Sequence, residues 1–263
     1  MKLTVTTFLT LDGVYQGPGG VEEDTSGGFK HGGWVTPFYE ESMAAFVADW
    51  FSRADAFLLG RHTHDIFAAH WPKVTDPADP VATGLNSLPK YVASRTMSTS
   101  DWNGVSIISD DVVGAVRALK EQPGRELQVH GSGELLQTLI EHDLVDEFRL
   151  WLYPVVLGQG RKLFRDGTLR AFEPVETRTT ANGVNVLVLR PKGTPEFATF
   201  ELVCGSREWR GRLEPAATLT TPAGPAARRC LLGRGSPRPA SRSPRAGSPA
   251  AQAAAMGRGA GGR

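Results

Sequence analysis

Two stretches carry the residue types of an anion site at the spacing of a helix start: Leu58-Leu59-Gly60-Arg61-His62-Thr63 and Val129-His130-Gly131-Ser132-Gly133-Glu134-Leu135. In each, an apolar run ends at a glycine, and polar residues follow before a helical pattern begins. The first turn of a helix presents unpaired N–H groups and the positive end of its dipole, so phosphate is a natural occupant. Glycine lets a ligand approach the backbone, Thr63 and Ser132 add hydroxyls, and the planar fork of Arg61 suits a phosphate monoester. Gly60 and Gly131 could also do no more than turn the chain. Gly131-x-Gly133 lacks the third glycine of a dinucleotide fingerprint, because Leu136 stands in its place, and no earlier βαβ unit supplies one. A conventional Rossmann enzyme is not expected.

Other chemistries find less support. His62 and His64 would diverge around a helix, His70 lies two turns on, and no cysteine assists, so no metal site is expected. Gly-x-Ser-x-Gly is absent, and with it an argument for a Ser-His-Asp set. Cys204 and Cys230 both fall near the C-terminus, which leaves the preceding chain without a disulfide framework or a thiolate zinc site.

The elements that must position the glycine motifs alternate between strand and helix. Leu3 to Phe8 opens with β-branched residues, and Val14 to Trp34 is a glycine-rich loop containing the triplet Glu22-Glu23-Asp24. Thr36-Pro37 predicts a helix start, with Tyr39, Met43, Phe46, Val47, Trp50 and Phe51 on one face. Ala54 to Leu59 is a strand, a helix follows from Arg61 to before Pro72, and a Pro- and Asp-rich loop is expected over Pro72 to Pro89. Strands at Lys90 to Ser94 and Val105 to Ile108 precede a helix capped by Ser109-Asp110-Asp111. Glu126 to Val129 is a further strand, before a helix with its stripe at Leu135, Leu136, Leu139 and Ile140. Phe148 to Val156, Val175 to Thr180 and Val184 to Leu189 then follow as strands, the last two joined by the turn dipeptide Asn182-Gly183. The pattern is that of an α/β domain over residues 1–191, with a mixed, mostly parallel sheet flanked by helices and antiparallel strands at its C-terminal edge.

The chain has 263 residues and a formal net charge of +1, with 40% hydrophobic and 22% charged residues, which excludes a wholly disordered, collagen-like or coiled-coil protein. No run approaches the ~18 apolar residues of a membrane helix, so a soluble, cytoplasmic protein is expected, with no membrane partner. The charge is divided unevenly. Residues 1–193 hold 18 basic and 24 acidic side chains, whereas residues 194–263 hold 11, all Arg, and 4. Ala, Pro, Gly, Arg and Ser dominate the C-terminal segment, and residues 192–263 are expected to form a low-complexity, disordered tail. Its arginines permit nucleic-acid binding, but aromatic interleaving is missing, so nucleic acid is not the expected partner. No selected function is expected for the tail.

The motifs Gly60-Arg61-His62-Thr63, Lys90-Tyr91-Val92-Ala93-Ser94-Arg95-Thr96, Gly131-Ser132-Gly133-Glu134-Leu135 and Leu144-Val145-Asp146-Glu147, followed by Pro154-Val155-Val156-Leu157-Gly158-x-Gly160-x-x-Leu163-Phe164, occur in an order that resembles the dihydrofolate reductase superfamily. Within it, Leu11-Asp12-Gly13 and the Pro-x-x-Leu-Gly-x-Gly stretch look most like the reductase domain of the riboflavin-biosynthesis deaminase-reductase (RibD C-terminal-like) and its stand-alone relatives. That resemblance implies NADPH as cofactor, a small-molecule substrate, a homodimer, and direct hydride transfer without flavin or metal. It implies that Arg61, Ser94 and Arg95 hold the adenosine 2′-phosphate. His62, Thr63 and the turn of Gly131, Ser132, Gly133, Glu134 and Leu135 would meet the pyrophosphate and the nicotinamide ribose. The implied acceptor is a pterin- or pyrimidine-like heterocycle or another carbonyl or imine; a protein that binds NADP(H) without catalysis is the alternative.

Hydride transfer also requires a proton for the atom that gains negative charge. Glu40 and Glu41 are expected in the first turn of the first helix, where they would stabilise its dipole. Asp12 is the candidate acid, because it ends the first strand where the ligand crevice should open; a turn carboxylate bonding local N–H groups is its other reading. Tyr15 and Trp34 flank the glycine-rich loop and could stack on a flat substrate, or pack in the core.

Overall fold

The computed structural model describes residues 1–199. Expectations for the Arg-rich tail beyond Thr199, and for Cys204 and Cys230 within it, lie outside the described residues. Among the described residues, eight strands form one sheet: β1 (Lys2–Thr10), β2 (Ala54–Gly60), β3 (Lys90–Ala93), β4 (Val105–Ile108), β5 (Glu126–His130), β6 (Glu147–Tyr153), β7 (Ala171–Thr179) and β8 (Asn185–Gly193). Their order is β4-β3-β2-β5-β1-β6-β8-β7. The first six are parallel, and β8 and β7 close the edge antiparallel, as the sequence predicts.

Side chains alternate across the strands, so the sheet has two inner faces. On one, Leu3, Val5, Leu9, Leu58, Leu127, Val129, Phe148 and Leu150 pack against α4 (Val112–Glu121) and α5 (Gly133–Glu141) through Val116, Leu119, Leu135, Leu136, Leu139 and Ile140. On the other lie α1 (Ser42–Ser52), α2 (Arg61–His70) and α3 (Pro80–Ser87). Phe51, Phe57, Leu59, Trp71, Val81 and Leu85 form one cluster there, and Met43, Trp50, Trp151 and Tyr153 belong to a second. Among the described residues, no helix is long and apolar enough to cross a membrane.

Three expectations need correction. Thr36-Pro37 starts only a single 3-10 turn, Thr36–Phe38, after which Tyr39 is extended at φ −61°, ψ 135°, and α1 begins at Ser42. Glu40 therefore stands outside the helix, and its carboxylate accepts the N–H groups of Ala181 and Asn182, both at 3.2 Å. The loop expected over Pro72 to Pro89 contains α3. Asp79 caps it, accepting from Val81 N at 2.9 Å and Ala82 N at 3.0 Å, and Pro80 occupies the position where a missing N–H costs nothing. The Asn182-Gly183 hairpin closes on Thr180 and Val184, so the loop has a third residue, Ala181, and Gly183 takes φ +80°.

Candidate cofactor and substrate cleft

β2 and β5 are neighbouring parallel strands, and the crossovers that leave them both start at their carboxyl ends, where an open sheet forms its ligand crevice. There α2 and α5 begin side by side. Ser132 joins them: its hydroxyl accepts the Gly60 N–H at 2.8 Å and donates to Thr63 Oγ1 at 2.9 Å. To do so Ser132 adopts a left-handed backbone, φ 67° and ψ 53°, directly after Gly131 at φ +62°. Such a conformation strains a residue with a Cβ and persists only where its surroundings fix it, here the two hydrogen bonds of the hydroxyl.

The two helix starts lack side-chain caps, whereas α3 and α4 are capped by Asp79 and Asp111. Their first N–H groups are left for another acceptor. They open on a cavity of about 1100 Å³ whose wall includes Gly60, Arg61, His62, Thr63, Ser94, Arg95, Gly131, Ser132, Gly133, Glu134 and Leu135, so every residue expected to hold the cofactor is brought to one space. Arg61 directs Nε to Asp65 at 2.8 Å. Ser94 Oγ accepts from Thr96 N at 3.3 Å and Met97 N at 3.1 Å, holding the turn that carries the exposed Arg95.

Tyr15 also lines the cavity, but at the α5 start. A Cβ on Gly133 would lie 1.9 Å from its hydroxyl, so Gly133 is required by the approach of this ring as Gly131 is by its positive φ. Burial, the largest influence, raises the Tyr15 pKa. Asp12 and Trp34 do not line the cavity. The Asp12 carboxylate accepts from the Thr10 hydroxyl at 2.5 Å, Gly158 N at 2.8 Å and Leu157 N at 3.3 Å. Desolvation works to raise its pKa, but these donors together prevail and lower it. These bonds tie Leu11-Asp12-Gly13 to the Pro-x-x-Leu-Gly loop. Trp34 is buried, donates its indole N–H to Gln16 O at 2.9 Å and packs edge-on against Tyr153. Both side chains make the contacts of their structural readings, through partners distant in the sequence.

Several lining residues escape a reading by motif. Glu23 and Asp24, from the acidic triplet, stand on the loop wall. Asp24 is paired with Arg161 at 2.6 Å, and Glu23 Oε2 accepts from Gly19 and Gly20 N–H groups while burial, the dominant influence, raises its pKa. Beyond the helix starts the wall turns aromatic, with Phe8, Trp50, Phe51 and Trp151, and His130 stacks on Phe51 with ring centres 4.7 Å apart. The Trp151 indole N–H is buried without a partner among the described residues. A flat, largely apolar ring fits such a wall.

The sequence matches the family described as the RibD C-terminal domain over residues 1–186. It is 37% identical over 148 residues to the uncharacterized protein YyaP of Bacillus subtilis (strain 168), covering 55% of this chain and 78% of that protein. Among solved structures, a putative riboflavin biosynthesis protein from Shewanella sp. PV-4 is similar with TM-score 0.52 at 20% identity, over 73% of this chain and 99% of that one. A pyrimidine reductase-like protein from Corynebacterium diphtheriae gives TM-score 0.51 at 13% identity, over 72% and 91%. At these identities the two structures speak for the fold. With the motif order, the sheet and the family match in agreement, the chain belongs to the RibD C-terminal domain family.

Proposed function

We propose that this protein is an NADPH-dependent reductase of a small flat heterocycle, pterin- or pyrimidine-like, or of another carbonyl or imine acceptor. The observation that carries this reading is the Ser132 bridge, which turns two uncapped helix starts into one continuous wall of N–H donors. A dinucleotide has its phosphates at two places, and the residues present fit both. The N–H groups at the starts of α2 and α5 suit the pyrophosphate, with the Thr63 hydroxyl and His62 beside them. Arg61, its Nε spent on Asp65, keeps its terminal nitrogens for a 2′-phosphate, with Ser94 and Arg95 on the neighbouring strand end. NADPH held there would supply the hydride.

The aromatic wall of Phe8, Trp50, Phe51 and Trp151 supports a flat acceptor and excludes water from it. Asp12 is not assigned the proton, since its acceptor capacity is used outside the cavity and its pKa is lowered. Glu23 meets the chemical requirement better: it lines the cavity, and burial keeps its carboxyl protonated to higher pH.

Arg61→Ala tests the assignment. The variant should bind NADPH roughly 10- to 100-fold more weakly, the scale of a lost charge-assisted hydrogen bond, and NADH with little change. Equal weakening of both would remove Arg61 from the 2′-phosphate. Cofactor binding without oxidation in the presence of pterins, pyrimidines and simple carbonyls would favour the non-catalytic alternative.

A further inference from the structure

Beneath α1 the central sheet carries a line of polar side chains inside an otherwise apolar layer. Arg149 is buried, 1% exposed, and donates from both terminal nitrogens to Glu126, at 2.9 and 2.6 Å, and from Nε to Glu147 at 3.1 Å. Its guanidinium also lies 5.2 Å from the centre of the Trp50 ring. Gln128 is next along β5. Its side-chain nitrogen donates to Glu126 Oε2 at 2.7 Å and to the Trp50 carbonyl at 2.6 Å. Both partners are acceptors, which fixes the orientation of the amide and leaves Gln128 Oε1 facing the next residue on that face, His130. The contact of Oε1 with His130 Nε2 is 3.1 Å, and because Oε1 can only accept, Nε2 must carry the proton.

The consequence falls on the other ring nitrogen. With Nε2 protonated, Nδ1 of the neutral ring is an acceptor. It makes no hydrogen bond among the described residues, and it is not among their sealed, partnerless atoms. His130 lines the cavity directly before Gly131, and Phe51 stacked on its face holds the ring plane. We infer that His130 is a specificity-determining residue whose Nδ1 accepts a hydrogen bond from a planar N–H group, the amide or amino edge of a heterocycle or of a nicotinamide carboxamide. Burial, and secondarily the positive charge of Arg149, pushes the His130 pKa down to about 3, so the ring stays an acceptor where an exposed histidine would already be protonated. Glu126, Gln128 and Arg149 act through it as positioning residues. The occupant rests on the reductase reading; the tautomer does not.

Long-range proton–nitrogen correlation spectra of the ring nitrogens, recorded on the full chain labelled at histidine, separate the two. Below the ordinary histidine pKa of ~6.5 the His130 signals should keep the pattern of the neutral Nε2–H form. An Nδ1–H pattern, or an imidazolium, would overturn the inference. NADP⁺ is then added, followed by uracil, and in parallel by N,N′-dimethyluracil, which has the same ring without N–H donors. A shift of Nδ1 on NADP⁺ alone assigns the donor to the carboxamide. A shift that requires uracil, together with affinity roughly tenfold above the dimethyl compound, assigns it to the substrate. Binding of both NADP⁺ and uracil with Nδ1 unmoved throughout overturns the proposal. Failure of both to bind overturns the ligand assignment together with the reductase reading, and the tautomer pattern distinguishes that failure from a misread network. His130→Phe, which keeps the stack on Phe51, should lose the discrimination between the two uracils.

Discussion

The Ser132 hydroxyl lies 2.8 Å from the Gly60 N–H, across 72 positions of sequence, and with its bond to the Thr63 hydroxyl this contact ties the starts of α2 and α5 together. Removing it separates two effects. Ser132→Ala keeps a Cβ in the left-handed region and loses both hydrogen bonds, whereas Ser132→Gly loses the bonds and relieves the strain. The glycine variant should therefore be the more stable of the two by roughly 1 kcal/mol in urea denaturation. Both should lose NADPH affinity alike, about tenfold, if the hydroxyl is what aligns α2 with α5. Unchanged affinity in both would mean that the helices hold their places without it.

What can be read from the chain alone follows the range of each interaction. The starts of α2 and α5 are local: an apolar run, a glycine and a hydroxyl occur within a few residues, and the structure places them as the spacing implies. The helix α3 is also local, but its eight residues sit among the prolines and aspartates of a segment that reads as loop, and the Asp79-Pro80 cap is the only strong signal. Asp12 could not be read. Its partners Leu157 and Gly158 are 145 and 146 positions away, and nothing near Asp12 shows whether the carboxylate faces a ligand or a second loop. His130 stands in plain view before Gly131, yet its tautomer depends on Gln128, Glu126 and Trp50, which only strand pairing and the α1 packing bring together.

Asp12→Asn should leave catalysis intact. The side chain anchors the loop after β6, so its replacement should lower stability at neutral pH by about 1 kcal/mol while the reductase rate stays within a few-fold of the parent. Because the folded-state pKa is lowered, the contribution of Asp12 is complete above the unfolded value of ~3.9 and disappears as pH falls through the folded one. Parent and variant should thus converge in stability under acid. A large rate loss in an equally stable variant would return Asp12 to the chemistry.

Lys90 offers a test at the opposite end of the pH scale. It is wholly buried, and its ammonium donates to the Leu85 and Leu88 carbonyls at the end of α3, both at 2.7 Å, with the Trp102 ring centre 4.8 Å away. No carboxylate pairs with it among the described residues, and burial lowers its pKa from 10.5 to about 8. Between these values the unfolded chain holds a proton that the folded chain has released, so the contribution of Lys90 to stability rises with pH over that window and is flat below it. Lys90→Met cannot titrate. Relative to the parent it should become less stable as pH climbs from about 8 towards 10, by roughly 2 kcal/mol in all. Urea denaturation of both proteins at several pH values across the window measures this difference, and curves that stay parallel would show that the buried ammonium keeps its ordinary pKa.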